Sequence, residues 1–193
     1  MKTKNFIVFL LIFFPFTMVK ASPIEWSVES GGNGHYYEAF SFDEGVAWET
    51  ARLESERLGG YLATVSTQAE NYFVFSLIDS SEFWVDDLYG PWLGGTDEGG
   101  PWRWLNDEGN FTYTSWERYQ PDGCVNEDFL HYFSYDGRDA TWNDMFTGEP
   151  GFADGRVKSY VVEYNMNPVP EPTTLLLLGC GILVAANVGR KKY

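Results

Sequence analysis

Apolar side chains recur with helical spacing in two stretches of the first half of the chain. Ala47, Ala51 and Leu58 fall on one face, after Ser41-Phe42-Asp43-Glu44 and before Gly59-Gly60. A Ser three residues ahead of a Glu satisfies free helix amides, and a glycine ends helices in the left-handed conformation. The pattern therefore predicts a helix from that capping box to Gly59. Thr67-Gln68-Ala69-Glu70 is a second box, followed by Phe73, Val74, Leu77 and Ile78 on one face of a second predicted helix. Between them, Leu62-Ala63-Thr64-Val65 reads as a short buried strand. Beyond Ile78 the helical period is lost. Trp92-Leu93-Gly94-Gly95 predicts a central strand, and Phe129–Phe133 and Lys158–Tyr164 predict two more. Trp102-Arg103-Trp104 and Phe111-Thr112-Tyr113-Thr114 alternate as strands around an Asn106-Asp107-Glu108-Gly109 turn. Helices first and short strands afterwards make an α+β class.

The two ends follow other rules. Lys2 and Lys4 precede an apolar run from Phe6 to Val19, and Val19-Lys20-Ala21 has small residues where a signal peptidase reads. Residues 1–21 thus predict a secretory signal peptide, since a run of about 14 residues is short for a membrane span. After a linker at 165–168, the tail 169–193 carries Pro170-Glu171-Pro172, an apolar stretch from Leu175 to Val188, and Arg190-Lys191-Lys192. That order predicts a membrane helix with its basic end in the cytoplasm. It is similar to the PEP-CTERM sorting tail of Gram-negative bacteria. The resemblance implies cleavage near the motif by an exosortase-like membrane protease, in proteins that accompany exopolysaccharide and biofilm production. A permanent anchor is the alternative, and both place the domain at 32–164 outside the cytoplasm, on the cell surface or beyond it.

Acidic residues outnumber basic ones by 28 to 13, a formal charge of −15 in 193 residues. Nucleic acid is excluded as a partner, because phosphate neutralisation needs clustered Lys and Arg. Aromatic residues reach 18%, enough to fill a core in a fold with little regular structure. Cys124 and Cys180 are the two cysteines, and Cys180 falls in the apolar tail, so an exported domain here has no disulfide framework. Cys124 reads as an exposed free thiol.

Three clusters within 25 residues carry the chemistry: Gln120-Pro121-Asp122, Asn126-Glu127-Asp128 and Trp142-Asn143-Asp144. Oxygen donors converging from separate loops are what Ca²⁺ requires. The proline between Gln120 and Asp122 makes a cis bond accessible, which would turn both side chains toward one centre. This spacing closely resembles the Ca²⁺ and sugar site of C-type lectin domains. Trp92-Leu93-Gly94-Gly95 resembles their Trp-Ile-Gly-Leu signature, and Tyr36-Tyr37-Glu38 matches their usual first strand. The resemblance implies a fold of two helices, short antiparallel sheets and a long Ca²⁺-binding loop region. It implies Ca²⁺ ligation by Gln120, Asp122, Glu127, Asn143 and Asp144, with Gln120, Asp122, Glu127 and Asn143 also bonding a sugar. The Gln-Pro-Asp order implies galactose-type hydroxyl geometry. Galactose binders of the family generally place an aromatic just after that loop, whereas this chain has Gly123-Cys124-Val125. Asp97 and Asp128 match positions of an auxiliary Ca²⁺ site whose other ligands are missing.

No catalytic constellation stands out, because His35 and His131 sit in no metal or nucleophile motif. The expectation is therefore a Ca²⁺-dependent carbohydrate-binding protein rather than an enzyme. A protein-binding or structural matrix component with the same fold is the alternative, and a glycan-active enzyme the third.

Overall fold

In the computed structural model, residues 18–20, 22–106, 111–124, 126–146 and 156–168 are described. A sheet runs through them in the order β1(Met18–Lys20), β3(Tyr36–Phe42), β9(Ser159–Tyr164), β5(Tyr89–Thr96), β7(Phe129–Phe133), β8(Trp142–Met145). Three two-residue strands attach to this path: β2(Ile24–Glu25) on β3, β4(Tyr61–Leu62) on β9 and β6(Arg103–Trp104) on β5. β5 and β9 run parallel, and the other paired strands are antiparallel. The short antiparallel sheets expected from sequence are thus joined into one mixed sheet.

Alternating residues of β9 divide the core. Val161 belongs to a cluster with Val74 and Ile78 of α2(Gln68–Ile78), while Tyr160 and Val162 join Trp48 and Ala51 of α1(Trp48–Arg57). A strand presents successive side chains to opposite faces, so the sheet takes one helix against each face. Two buried indoles bond main-chain carbonyls: Trp48 donates to the Leu93 carbonyl at 2.9 Å, and Trp92 to the Val46 carbonyl at 2.7 Å. Gly94 is required where the chain at Leu62 crosses β5, because a Cβ there would overlap the Leu62 carbonyl.

Local signals hold at some ends and fail at others. Thr67 accepts from the Glu70 amide at 3.1 Å and opens α2 as predicted. Gly59 takes φ +82 just past the end of α1. Ser41, however, caps nothing. It lies inside β3, pairs with Ser159, and donates its hydroxyl to the Glu82 carbonyl at 2.7 Å. α1 begins at Trp48, after Ala47, which makes no side-chain cap. Ladder pairing with β9 outweighs one capping motif, since each ladder residue brings a hydrogen bond and a buried side chain. Phe111–Thr114 does not form the predicted strand; Phe111 instead packs on Trp102 and Trp104, with ring centroids 5.7 and 4.9 Å away. The predicted strand at Leu62–Val65 is shortened to β4, although Ala63 still donates to the Val161 carbonyl at 2.9 Å. The predicted leader at 1–21 falls mostly outside the described residues, with β1 as its one described segment.

Candidate functional site

An aromatic floor supports the site. Trp142, fully buried, meets Trp104, Tyr113 and Trp116 at near-perpendicular ring angles, with centroids 6.0, 5.5 and 6.1 Å away. Its indole donates to Asn71 Oδ1 at 3.0 Å. The loop carrying the first ligand cluster is fastened to the same residue: Trp142 N donates to the Ser115 carbonyl at 2.8 Å, and Glu117 N to the Trp142 carbonyl at 2.9 Å. Gln120 N then donates to the Glu117 carbonyl at 2.9 Å, and the Gln120–Pro121 bond is cis. Gln120-Pro121-Asp122 and Asn143-Asp144 are therefore built on one rigid element.

The two amide side chains at the site behave alike. Asn143 Nδ2 lies 3.2 Å from His131 Nε2, and Gln120 Nε2 lies 3.4 Å from the Tyr135 hydroxyl. Each nitrogen is turned to the protein, and each amide oxygen is left buried with no hydrogen-bond partner among the described residues. Asp144 Oδ1 is in the same condition, in a residue 2% exposed. A buried acceptor without a donor costs free energy, so three together are an unmet demand for a cation or a donor ligand.

Charge accumulates at the same place. Ligand atoms of Asp122, Cys124 and Glu127 all lie within 4.8 Å of one another. Burial, and then the Asp122 and Asp144 charges, push the Glu127 carboxyl above its ordinary value. Burial chiefly, with Asp122 adding to it, pushes Asp144 up as well. Asp122 is held low by hydrogen bonds from Cys124, its side chain first and its amide second. A divalent cation would relieve the mutual repulsion of Asp122, Glu127 and Asp144. Oxygen donors, three of them carboxylates, suit a hard cation such as Ca²⁺. The residues present fit that ion, and Gln120, Asp122, Glu127, Asn143 and Asp144 would hold it.

Residues 44–150 match the family of the Lectin C-type domain, over more than half of the chain. The chain belongs to the C-type lectin family. A PEP-CTERM protein-sorting motif matches residues 168–191. This lectin-family chain is 35% identical over 108 residues to a perlucin-like protein of Mytilus galloprovincialis, covering 55% of the chain and 66% of that relative, just under two thirds. It is 30% identical over 121 residues to the galactose-specific lectin nattectin of Thalassophryne nattereri, covering 61% of the chain and 72% of nattectin. The cow C-type carbohydrate-recognition domain of CD23 superposes with a TM-score of 0.51 at 22% identity, covering 68% of this chain and 88% of that one. That likeness carries the fold.

Of the predicted lectin site, the structure brings Asp122, Glu127 and Asp144 into electrostatic contact, with Asn143 beside Asp144 on β8. Asp97 and Asp128 also meet: the Asp97 amide donates to the Asp128 carbonyl at 3.2 Å. Burial, then the Asp128 charge, raises the Asp97 carboxyl, whose Oδ1 has no hydrogen-bond partner among the described residues. Pro170, Glu171 and Pro172, like the predicted tail helix, lie outside the described residues. Among those described, no helix is long and apolar enough to cross a membrane.

Sequence reasoning missed His131 as part of the site. Its Nδ1 faces the Gly90 carbonyl at 3.4 Å, which leaves Nε2 to receive the Asn143 amide and turn the Asn143 oxygen away from the imidazole. The antiparallel register, which sets His131 against Asn143, is the signal that would have found it. Cys124, read as an exposed free thiol, is one, and it stands within the carboxylate cluster.

Proposed function

We propose that this chain is an exported, Ca²⁺-dependent carbohydrate-binding protein of the cell surface or extracellular matrix. The observation that carries the reading is the set of buried, unpartnered oxygens on Gln120, Asn143 and Asp144, the last within electrostatic reach of the Asp122 and Glu127 carboxylates. A bound Ca²⁺ supplies a Lewis-acidic centre that accepts vicinal sugar hydroxyls. Gln120 and Asn143 would offer amide donors and acceptors to the same hydroxyls, and Asp122 and Glu127 would accept from them. The Gln120-Pro121-Asp122 order favours galactose-type geometry, and the similarity to a relative named as galactose-specific supports that choice. The sorting motif at 168–191 supports export through an exosortase-like protease, with a membrane-bound precursor and an association with exopolysaccharide. Carboxylates that hold a cation are poor general acids, so binding rather than turnover is the function.

The test is a glycan array probed with the purified protein in Ca²⁺ and again in EDTA. Galactose-terminated glycans should be retained in Ca²⁺ and released by EDTA. Retention that EDTA leaves untouched would sink the Ca²⁺-dependent reading, and no retention of any glycan would leave the protein-binding or structural alternative.

A further inference from the structure

Beside Gln120, the loop that precedes it and the turn that follows β7 bring three exposed side chains together: Arg118, Tyr119 and Tyr135. Tyr119 is 81% exposed and Tyr135 46%. The Arg118 guanidinium carbon stands 5.7 Å from the centre of each ring, near enough for both to attract it. Tyr135 is fixed by Phe133, whose ring meets it edge-on with centroids 4.8 Å apart. Its hydroxyl lies 3.4 Å from Gln120 Nε2, so the surface is continuous with a side chain of the lectin site.

Two observations mark this surface as more than a solvated loop. Arg52, Arg57 and Arg138 each pair with carboxylates, whereas the Arg118 guanidinium has no acidic partner among the described residues. In a chain of charge −15, its N–H donors are thus left for an anion from outside. Tyr119 also holds φ +70, the left-handed region that side chains with a Cβ enter at a cost. Such a conformation is kept where its outcome is used, and here it sets an aromatic ring in solvent directly before Gln120.

We propose that Arg118, Tyr119 and Tyr135 form a second sugar subsite, which takes a uronic acid joined to the sugar held at Gln120. The inference rests on the reading of Gln120 and its neighbours as the primary sugar site. The tyrosines offer apolar ring surface to the C–H face of a pyranose and hydroxyls to its edge. The guanidinium bonds a carboxylate through parallel N–H groups. A uronic acid carries its carboxylate directly on the ring, so one sugar residue meets aromatic surface and guanidinium together. Repulsion from the acidic chain acts at longer range and is screened by physiological salt, unlike a direct guanidinium contact. The subsite would select acidic polysaccharide over neutral glycan with the same terminal sugar.

The experiment uses the full chain, solubilised, and two matched disaccharides of galactose, one joined to glucuronic acid and one to glucose. In Ca²⁺, calorimetry should give the acidic probe about fivefold tighter binding than the neutral one. Arg118→Gln should bring the two probes to equal affinity, and Arg118→Lys should restore part of the preference, as a charge without the planar fork. Tyr119→Ala should weaken both probes by about threefold, because the ring surface serves either pyranose. Equal affinities in the parent chain overturn the inference and leave the Ca²⁺-dependent galactose reading standing. An acidic preference that persists in Arg118→Gln also overturns it. Acidic-probe binding that survives EDTA and is lost in Arg118→Gln supports the subsite and removes the Ca²⁺-dependent reading. Binding of neither probe overturns both. Displacement of the acidic probe by a glutamate peptide of equal charge would assign the surface to a protein partner and overturn the sugar assignment.

Discussion

Glu70 and Glu163 are as deeply buried as Asp144, at 3%, 1% and 2% exposure, yet their oxygens meet different fates. Glu70 Oε1 accepts from the Tyr37 hydroxyl at 2.7 Å and from Asn33 Nδ2 at 3.1 Å, while its Oε2 accepts from the Ser66 amide and hydroxyl at 2.7 and 2.8 Å. Glu163 Oε1 lies 2.7 Å from His35 Nδ1, and its Oε2 accepts from the Thr64 amide at 2.8 Å. Asp144 shares its cluster with other carboxylates, and its Oδ1 finds no donor among the described residues. In the first region the protein completes its own polar network, which ties β3, α2 and β9 together. In the second, the network is left open toward an outside ligand. Burial alone therefore says little about role; the supply of donors separates a structural carboxylate from a binding one.

The largest test removes what supports the open region. Trp142→Ala should cost about 3–5 kcal/mol and abolish Ca²⁺ binding with it, because the ring is the floor of the site and also bonds Asn71. Denaturant unfolding followed by tryptophan fluorescence measures this; a loss under about 1 kcal/mol would mean the floor is dispensable.

Next, the closed network should be costly to break and the open one cheap. Glu70→Ala should destabilise by about 3 kcal/mol, since it strands buried donors on Tyr37, Asn33 and Ser66. Asp144→Asn should move metal-free stability by no more than about 0.5 kcal/mol, because it removes like-charge repulsion and keeps the shape. Equal losses in the two variants would erase the distinction drawn above.

Calcium should reverse that order. At a hundredfold excess over Kd, Ca²⁺ should add about 2.7 kcal/mol to the parent chain, and nothing measurable to Asp144→Asn or Asp122→Ala. Thermal melts with and without Ca²⁺ check it, with affinity expected between micromolar and millimolar. A full calcium response in Asp122→Ala would remove that residue from the ligand set.

The smallest effect concerns pH. Burial raises the Glu163 carboxyl above its usual range, so the folded chain holds that proton more tightly than the unfolded one. Its contribution to stability is fully present below the unfolded value of about 4.3 and is lost as pH rises through the raised folded value. Glu163→Gln should flatten that part of the stability–pH curve. Parallel curves for parent and variant would assign the slope elsewhere.

Short-range patterns carried much of this structure into view. The glycine after α1, the Thr67 cap and the strands at Trp92–Gly95, Phe129–Phe133 and Lys158–Tyr164 depend on neighbours a few residues away, and they were legible. So were the proposed ligands, because they fall within 25 residues and have distinctive composition. What was hidden depends on contacts between distant segments. Ser41 looked like a cap until β9, more than a hundred residues later, claimed it for a ladder. Glu70 forms a cap only in part, since its carboxylate turns to Ser66, Tyr37 and Asn33 instead of the Thr67 amide. His131 acquires its role across the β7–β8 register, which a linear reading of either strand does not contain.

β9 ends at Tyr164, and the sorting-motif match starts at residue 168. From Tyr164 to the apolar stretch that begins at Leu175 is eleven steps, which at no more than about 3.6 Å per residue form a leash of roughly 40 Å at most. Anchored through such a tail, the domain would be kept within that reach of the surface. The leash is also fixed to an interior strand, with β3 on one side and β5 on the other. A pull on ligand held at β8 would pass through the β8–β7, β7–β5 and β5–β9 ladders before reaching the tether. Those ladders would bear the load in series, making the sheet the mechanical link between bound glycan and cell surface.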